Sequence, residues 1–284
     1  MTNAKKYFEG RQLLIATKHN KERVIAPLFE KALGVTCIVP DNFDTDLLGT
    51  FSGEVEREQD PLSTARRKCL LAMQQANCDL VIASEGSFGP HPSLYFISAD
   101  DEILFLVDAK HDLEVFAREL STDTNLNAAE IRTIEELEQF AKAVHFPTHG
   151  LIMRKAKDDY AQLAKGIHDW EQLYITFQSL IKDGEHVYVE TDMRAMHNPT
   201  RMKVIEAAAL KLIAKLNTTC AKCGTPGFDV VEVQSGLPCS LCSSPTRSTL
   251  SLIYACRKCN FREEKWHPNN KKNEDPMFCD YCNP

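Results

Sequence analysis

Four C-x-x-C pairs constrain the fold of this chain more than any other sequence feature. They are Cys220/Cys223, Cys239/Cys242, Cys256/Cys259 and Cys279/Cys282, separated by 15, 13 and 19 residues. A C-x-x-C turn directs two thiolates at one ion, and two such turns complete a tetrahedral shell of four sulfurs around zinc. We therefore expect these eight cysteines to bind two structural Zn²⁺ ions in a small zinc-ribbon-like domain with two four-cysteine sites.

The spacing alone leaves the pairing of the four motifs open. Residues 246–254 read as a strand that leads into Cys256, which favours a ribbon closed by the second and third pairs. The first and fourth pairs would then close the other site, and sequential pairing is the alternative. Disulfides are disfavoured in a reducing compartment, and iron–sulfur cysteines are usually spaced differently. The protein fills all four positions in either pairing, so both sites are expected to be structural.

Charge and hydropathy argue against two classes of protein, those that follow a nucleic-acid backbone over their whole surface and those that span a membrane. The net charge is −7, of which residues 218–284 contribute +1 and the preceding residues −8. This balance argues against a chain whose whole surface follows a nucleic-acid backbone. Apolar runs stay far below the roughly 18 residues of a membrane helix, and the N-terminus is polar. We therefore expect a cytoplasmic protein that does not interact with membranes.

The first part of the chain alternates strand-like and helix-like segments. Predicted strands cover 12–16, 35–39, 80–83, 103–107, 151–154 and 187–189, and residues 113–120 fit strand or helix. Predicted helices cover 21–33, 61–76, 133–144, 169–182 (with Gly184 after its end) and 199–216. Such alternation is typical of an α/β fold with a mixed sheet flanked by helices. We expect an α/β domain over residues 1–217 and a double zinc-ribbon domain over residues 218–284.

Polar residues cluster where predicted strands end, which is where open α/β sheets bind ligands. The clusters contain Thr17, Lys18, His19 and Lys21 after the first strand, Ser84 and Glu85 after a central strand, and Glu190, Asp192, Arg194, Asn198 and Arg201 after the last. Each cluster alone is also compatible with a solvated loop. Carboxylates are the oxygen ligands that Mg²⁺ or Mn²⁺ prefers, and lysine or arginine suits phosphate. The set predicts a phosphorylated small-molecule ligand bound with a divalent metal.

Three segments resemble the motif order of inosine-triphosphate-pyrophosphatase-type enzymes. They are I-A-T-K-H-N-K-E, P-L-S-T-A-R-R-K and L-V-I-A-S-E-G-S-F-G, which lie in the first third of the chain. The resemblance implies that Thr17 and Lys21 contact phosphate, that Lys68 lies nearby, and that Glu85 is a metal-binding or basic carboxylate. His19 departs from the asparagine of that pattern, the loop is one residue shorter, and a single Glu replaces an Asp pair.

The whole chain is also similar to an uncharacterised bacterial family known only as a domain of unknown function. Shared segments are A-T-K-H-x-K-E, A-S-E-G-S-F-G-P-H-P, S-T-D-T-N, F-P-T-H-G and E-T-D-M-R-A-x-x-N-P-T-R, followed by the four C-x-x-C pairs. Membership in this family implies no activity.

Two functional hypotheses follow from these observations. The first is a metal-dependent, pyrophosphatase-like hydrolase of a nucleotide or related compound, in which Glu85, Glu190 and Asp192 share one pocket with Lys21 and Arg194. The second is a ligand-sensing or adaptor protein whose zinc ribbon binds RNA or a protein partner. Residues 257–266 interleave basic and aromatic side chains as single-strand binders do, although two glutamates interrupt them. Two zinc–thiolate centres would also lower the charge of residues 218–284 to about −3, which favours the hydrolase.

Overall fold

The computed structural model describes residues 4–40, 60–182 and 185–284. These residues form two compact units. One unit contains the described residues between 10 and 212, and the other combines residues 4–9 with residues 213–284. Gly184, expected to follow the fourth predicted helix, lies outside the described residues.

The described residues contain six α-helices and twelve strands. Helices α1 to α6 are Lys5–Phe8, Glu22–Leu33, Pro61–Ala76, Ile134–Ala143, Trp170–Leu180 and Pro199–Asn217. Strands β1 to β12 are Gln12–Ala16, Thr36–Ile38, Leu80–Pro90, Ser98–Asp108, Leu113–Ser121, Ala128–Ile131, Leu151–Arg154, Ala164–Ile167, Val187–Thr191, Asp229–Ser235, Thr249–Ala255 and Arg262–Trp266. Short 3₁₀ helices cover Ala195–His197 and Pro276–Phe278.

Five strands of the larger unit form a mixed sheet in the order β2-β1-β3-β4-β5. Strand β1 runs parallel to β2 and β3, whereas β4 is antiparallel to β3 and β5. Helix α3 packs on one face of this sheet, where Ala65 and Cys69 join a buried cluster with Val81, Ala83 and Phe105. The predicted α/β class with a mixed sheet flanked by helices is therefore confirmed.

Local capping explains why several helices begin and end where the sequence predicts. Helix α3 starts at Pro61 because the Asp60 carboxylate accepts hydrogen bonds from the backbone N–H groups of Leu62 and Ser63, at 3.0 and 3.1 Å. Helix α2 ends at Gly34, whose φ of 70° lies in the left-handed region that glycine tolerates best. These two helices position the elements that carry the candidate site.

A second sheet of the larger unit has the order β6-β9-β7-β8 and is antiparallel throughout. Helices α4 and α5 contribute Leu137, Phe140, Leu173 and Phe177 to its buried core. Strands β6 and β8 were not predicted, because Ala128–Ile131 and Ala164–Ile167 are short and lack alternating large apolar residues.

Strand β3 is longer than predicted. The sequence indicated that it ends at residue 83 and that a loop follows. Instead β3 runs to Pro90 and pairs residue by residue with β4, from Leu80 opposite Asp108 to Pro90 opposite Ser98. Glycine and proline in this segment favour a turn locally, but the ladder with β4 outweighs that preference. Glu85 consequently lies inside a long β3–β4 hairpin and not beyond the end of a strand. Strand β9 likewise extends through Glu190 to Thr191.

The smaller unit contains a three-stranded antiparallel sheet in the order β10-β11-β12. The predicted strand over 246–254 corresponds to β11, which leads directly into Cys256. Among the described helices of the chain, none combines the length and apolar character that crossing a membrane requires.

Candidate functional site

The eight cysteines of the C-x-x-C motifs form two quartets whose ligand atoms lie within 4.8 Å of one another. In the first quartet the Sγ atoms of Cys220 and Cys259 are 3.7 Å apart, and those of Cys223 and Cys256 are 3.6 Å apart. A tetrahedral zinc ion with Zn–S bonds of about 2.3 Å separates its sulfurs by about 3.8 Å. Each quartet therefore has the dimensions to hold one structural Zn²⁺.

The second quartet has the same geometry and shows how the four motifs pair. The Sγ distances are 3.8 Å between Cys239 and Cys282 and 3.6 Å between Cys242 and Cys279. The first C-x-x-C pair thus joins the third, and the second joins the fourth. Both pairings considered from the sequence are wrong, because antiparallel β10 and β11 bring the end of the first motif beside the start of the third, with Asp229 opposite Ala255.

Hydrogen bonds prepare one cysteine of each quartet to bind metal. The hydrogen bond with Thr225 lowers the pKa of Cys223 to about 6, and that with Ser244 lowers the pKa of Cys242 to about 6. The pKa values of Cys259 and Cys282 are raised to about 12, so each quartet contains one readily ionised cysteine and one that must lose its proton as zinc binds.

A second group of polar residues surrounds the β3–β4 hairpin, and we call it the hairpin cluster. Its members are buried and comprise three cations, three carboxylates and one hydroxyl: Lys21, Lys68, Arg201, Glu85, Asp100, Glu102 and Ser84. Lys68 forms an ion pair with Glu85, and Arg201 Nε donates a 2.6 Å hydrogen bond to Glu102 Oε1. Lys21 Nζ donates a 2.9 Å hydrogen bond to Ser84 Oγ.

The hairpin presents these groups on both faces of the sheet. Glu85 lies opposite Ile103, on the face that α3 covers with Lys68. Glu102 lies opposite Gly86, on the other face, where α6 supplies Arg201. The Arg201 guanidinium also lies 4.9 Å from the centre of the Phe88 ring.

Two carboxylates of the hairpin cluster contain oxygens that no donor satisfies. Asp100 and Glu102 are fully buried, and both carboxylate oxygens of Asp100 and Glu102 Oε2 have no hydrogen-bond partner in the described part of the chain. Burial, followed by the neighbouring Glu102, raises the pKa of Asp100 to about 8. Unsatisfied buried carboxylate oxygens are costly, and a hard divalent cation is the kind of ligand that such oxygens accept.

The remaining residues of the first predicted cluster follow β1. Thr17 is buried, and its Oγ1 has no hydrogen-bond partner among residues 4–40, 60–182 and 185–284. Lys18 is exposed and His19 is partly exposed on the turn that leads to Lys21. Thr17 and Lys21 therefore lie at the buried side of this turn.

The other predicted carboxylates have basic partners of their own. Asp192 is fully buried and accepts hydrogen bonds from the Arg194 side chain at 2.6 to 3.2 Å and from Gly166 N at 3.1 Å. Glu190 forms a 2.8 Å ion pair with Arg154, and burial raises the pKa of Glu190. Asp192 and Glu190 therefore pair with Arg194 and Arg154, whereas Glu85 pairs with Lys68.

Two further predicted residues connect the Asp192 segment to the hairpin cluster. Asn198 Oδ1 accepts a 3.0 Å hydrogen bond from Arg201 N, and Asn198 Nδ2 donates one of 2.8 Å to Asn125. Arg201 also donates from Nη1 to the carbonyl oxygen of Met193, next to Asp192. Arg201 is therefore the residue through which α6 joins this segment to Glu102.

Asp100 and Glu102 were not predicted from the sequence as members of the site, whereas Ser84 was. A signal was present, because Asp100 and Glu102 alternate in phase with the buried Leu104 and Leu106. In a strand, that phase places both carboxylates on the face that carries the two leucines.

Comparisons with known proteins identify a family whose model matches most of the chain. The family described as "Domain of unknown function (DUF6671)" matches residues 68–284. A comparison with curated proteins gave no significant match. The crystal structure of protein VC0702 from Vibrio cholerae is similar at 10% sequence identity and a TM-score of 0.35, covering 72% of this chain and 94% of that chain. A likeness of this size carries no functional argument.

Proposed function

The chain belongs to the DUF6671 family, a domain of unknown function, and we propose that it is a divalent-metal-dependent hydrolase of a phosphorylated small molecule, with nucleotides as the first candidates. The hairpin cluster carries this proposal, because it combines buried cations with carboxylate oxygens that lack donors. Phosphoryl transfer needs both kinds of group, since its substrate and its transition state are strongly negative.

Asp100 and Glu102 are the residues that would hold Mg²⁺ or Mn²⁺. Magnesium is commonly bound through one or two carboxylates, with water and substrate phosphate completing its shell. When bound, such an ion neutralises phosphate charge and lowers the pKa of a coordinated water. Of the metal ligands proposed from the sequence, Asp192 is less suited because Arg194 donates to both of its carboxylate oxygens, whereas Arg201 contacts only Oε1 of Glu102 and leaves Oε2 without a donor. Glu190 pairs with Arg154, outside the hairpin cluster.

Arg201 is the cation of the hairpin cluster that would bind and orient the phosphoryl group. Arg201 is held by Glu102 and by the Met193 carbonyl, so its position is fixed before a ligand arrives. Lys68 is fixed in the same way by Glu85 on the opposite face of the hairpin, from which it would add positive charge to the site without contacting the phosphoryl group. Preorganised positive groups stabilise developing charge without reorganising during the reaction. Arg194 and the exposed Lys18 and His19 would extend this positive surface toward the rest of the ligand.

The two cysteine quartets would contribute stability through structural zinc and take no part in the reaction. Reduced, metal-bound thiolates suit a reducing compartment, which supports a cytoplasmic location. The quartets also support a second candidate function, an adaptor role. Large apolar side chains are exposed beside the second quartet, namely Leu241, Met277, Phe278 and Tyr281. Such exposed groups commonly mark a protein or nucleic-acid partner surface.

A substrate screen tests the proposed function. Nucleoside triphosphates, nucleoside diphosphates and sugar nucleotides would be assayed for phosphate or pyrophosphate release, with Mg²⁺, with Mn²⁺ and with chelator. We expect metal-dependent turnover that falls by roughly 10²-fold or more in Asp100→Asn and Glu102→Gln, and by less in Glu85→Gln, because Glu85 lies on the other face of the hairpin. Asp101→Asn is the matched control, because Asp101 pairs with Arg118 outside the hairpin cluster.

The opposite result would favour the adaptor. Absence of metal-dependent turnover on every substrate class, together with binding of RNA or a protein that Tyr281→Ser abolishes, would contradict the hydrolase.

A further inference from the structure

The contact between Lys21 and Ser84 differs from every other cation contact in the hairpin cluster. Lys68 and Arg201 each face a carboxylate, whereas Lys21 Nζ donates its 2.9 Å hydrogen bond to a hydroxyl. No carboxylate in the described ranges forms an ion pair with Lys21, although both Lys21 and Ser84 are more than nine-tenths buried. Burial penalises the charged ammonium form, so this environment favours the neutral amine.

Charged groups of both signs surround Lys21. Arg201 from α6 and Lys68 from α3 oppose its positive charge, while Glu102 and Asp100 from β4 and Glu85 from β3 favour it. Burial is the largest single influence on this side chain, and the pKa of Lys21 is lowered to about 8. A substantial fraction of Lys21 is therefore unprotonated at mildly alkaline pH, with its lone pair within hydrogen-bond reach of Ser84 Oγ.

A hydroxyl paired with a neutral buried amine is the arrangement of a serine nucleophile and its general base. We propose that Ser84 is a nucleophile that Lys21 activates, and that it attacks the phosphorus atom of the substrate. The inference rests on the proposed function for its substrate class, and it assigns the attacking atom to the protein. Its geometric basis is the Lys21–Ser84 contact.

The reaction would proceed in two balanced steps. Ser84 Oγ forms a bond to phosphorus while its proton moves to Lys21 Nζ, and the leaving group departs with the electron pair of its bond to phosphorus. Lys21 then gives that proton to the leaving group. Water attacks the phosphoserine, the Oγ–P bond breaks, and one proton of the water returns to Ser84 through Lys21.

Thr17 supports this assignment by its place in the sheet. Ala16 on β1 lies opposite Ala83 on parallel β3, so the next residues along the two chains, Thr17 and Ser84, are neighbours. The Thr17 hydroxyl is buried and unsatisfied among the described residues, and it would donate to a phosphoryl oxygen bound at Ser84.

Diisopropyl fluorophosphate tests the nucleophile without any substrate. A serine activated by a base attacks its phosphorus and releases fluoride, which leaves a stable phosphoryl ester that peptide mass spectrometry locates. We expect stoichiometric labelling of Ser84 in the full, zinc-loaded chain, at a rate that rises through about pH 8. Ser87→Ala, on the same strand and partly buried, is the control that should label like wild type.

The variants at Lys21 separate a base from a positioning residue. Lys21→Arg keeps the charge and the donor but cannot act as a base at pH 8, so labelling should slow by about 10²-fold or more and lose its rise with pH. Ser84→Cys keeps the size of the side chain and serves as a folded variant if Ser84→Ala unfolds. Equal labelling of wild type and Lys21→Arg, or no labelling of wild type at pH 9, would overturn the proposal.

The same variants distinguish failure of this inference from failure of the proposed function. Metal-dependent phosphate release that persists in Ser84→Ala would refute the serine nucleophile and leave the hydrolase intact. Labelling of Ser84 in a chain that turns over none of the phosphorylated substrates would refute the substrate class and leave the nucleophile intact.

Discussion

Gly86 on β3 lies directly beneath the guanidinium group of Arg201 on α6. A Cβ atom at residue 86 would overlap Arg201 Nη2 and the Glu102 carboxylate, whose Cδ would be only 3.0 Å away. The absence of a side chain at this one position lets α6 approach the hairpin and place Arg201 against Glu102. A glycine in mid-strand is otherwise unfavourable, so the close approach explains its presence here.

Gly86→Ala should therefore damage the hairpin cluster. We expect a loss of about 1–3 kcal/mol in the free energy of unfolding, because the added methyl group must displace a buried ion pair. Urea unfolding monitored by circular dichroism measures this loss. Gly89→Ala on the same strand is the matched control, since nothing lies within 4 Å of a Cβ there. Equal stabilities of the two variants would show that Arg201 and Glu102 move aside at little cost, which would contradict the expected loss.

Divalent metal should stabilise the wild-type chain through Asp100. At a Mg²⁺ concentration of about 100 times the dissociation constant, a single site raises the unfolding free energy by about 2.7 kcal/mol. Thermal unfolding with and without Mg²⁺ should show an increase in wild type and in Asp101→Asn but not in Asp100→Asn. A Mg²⁺-dependent shift that survives in Asp100→Asn would contradict the assignment of this residue.

Without divalent metal, Asp100 should make stability fall as the pH rises. Its pKa is raised to about 8 in the folded chain, so the folded state binds a proton that the unfolded state releases near pH 4. The contribution is complete below about pH 4 and is lost as the pH increases through 8. We expect Asp100→Asn to be more stable than wild type at pH 9 in chelator, as measured by urea unfolding. No gain relative to Asp101→Asn would contradict the raised pKa.

The crossed pairing of the cysteine motifs can be tested by counting zinc. Cys220 and Cys256 belong to one quartet, so replacing both with serine should leave one Zn²⁺ per chain. Replacing Cys220 and Cys239 removes a ligand from each quartet and should leave none. Elemental analysis of protein purified without added metal measures the content. Sequential pairing of the motifs would produce the reverse result for these two double variants.

Loss of one zinc ion should unfold the smaller unit selectively. Structural zinc contributes about 10 kcal/mol or more to the folding of small domains. Cys256→Ser should therefore abolish the protection of backbone amides in β10, β11 and β12 against hydrogen exchange. Amides of the five-stranded sheet should remain protected, and their simultaneous loss would contradict the independence of the larger unit.

Helix ends and the cysteine ligands were predictable because their signals are local. Asp60 with Pro61 and the glycine at residue 34 mark helix ends through their own backbone preferences, and the observed caps use these residues. The C-x-x-C spacing likewise specifies metal chemistry within four residues. Signals of this kind can be interpreted without knowing how the rest of the chain folds.

The hairpin cluster was only partly predictable because its members meet through long-range pairing. The extension of β3 depends on its hydrogen-bonded ladder with β4. Residues 84–90 do not predict this ladder, because their glycines and proline favour a turn. Glu102 meets Arg201 only because α6 lies over that face of the hairpin. Motif pairing failed for a similar reason, as identical C-x-x-C spacings carry no information about partners.

The crossed quartets also have a consequence for synthesis of the chain. The first two C-x-x-C pairs to leave the ribosome, at Cys220/Cys223 and Cys239/Cys242, belong to different quartets. Together they offer four thiolates, so an ion captured before residue 256 emerges would join the wrong partners. Native assembly then requires that this ion be handed over when Cys256 and Cys259 arrive. The order in which the ligands are made therefore differs from the order in which they pair, and an ion bound that early would make zinc exchange a step of folding.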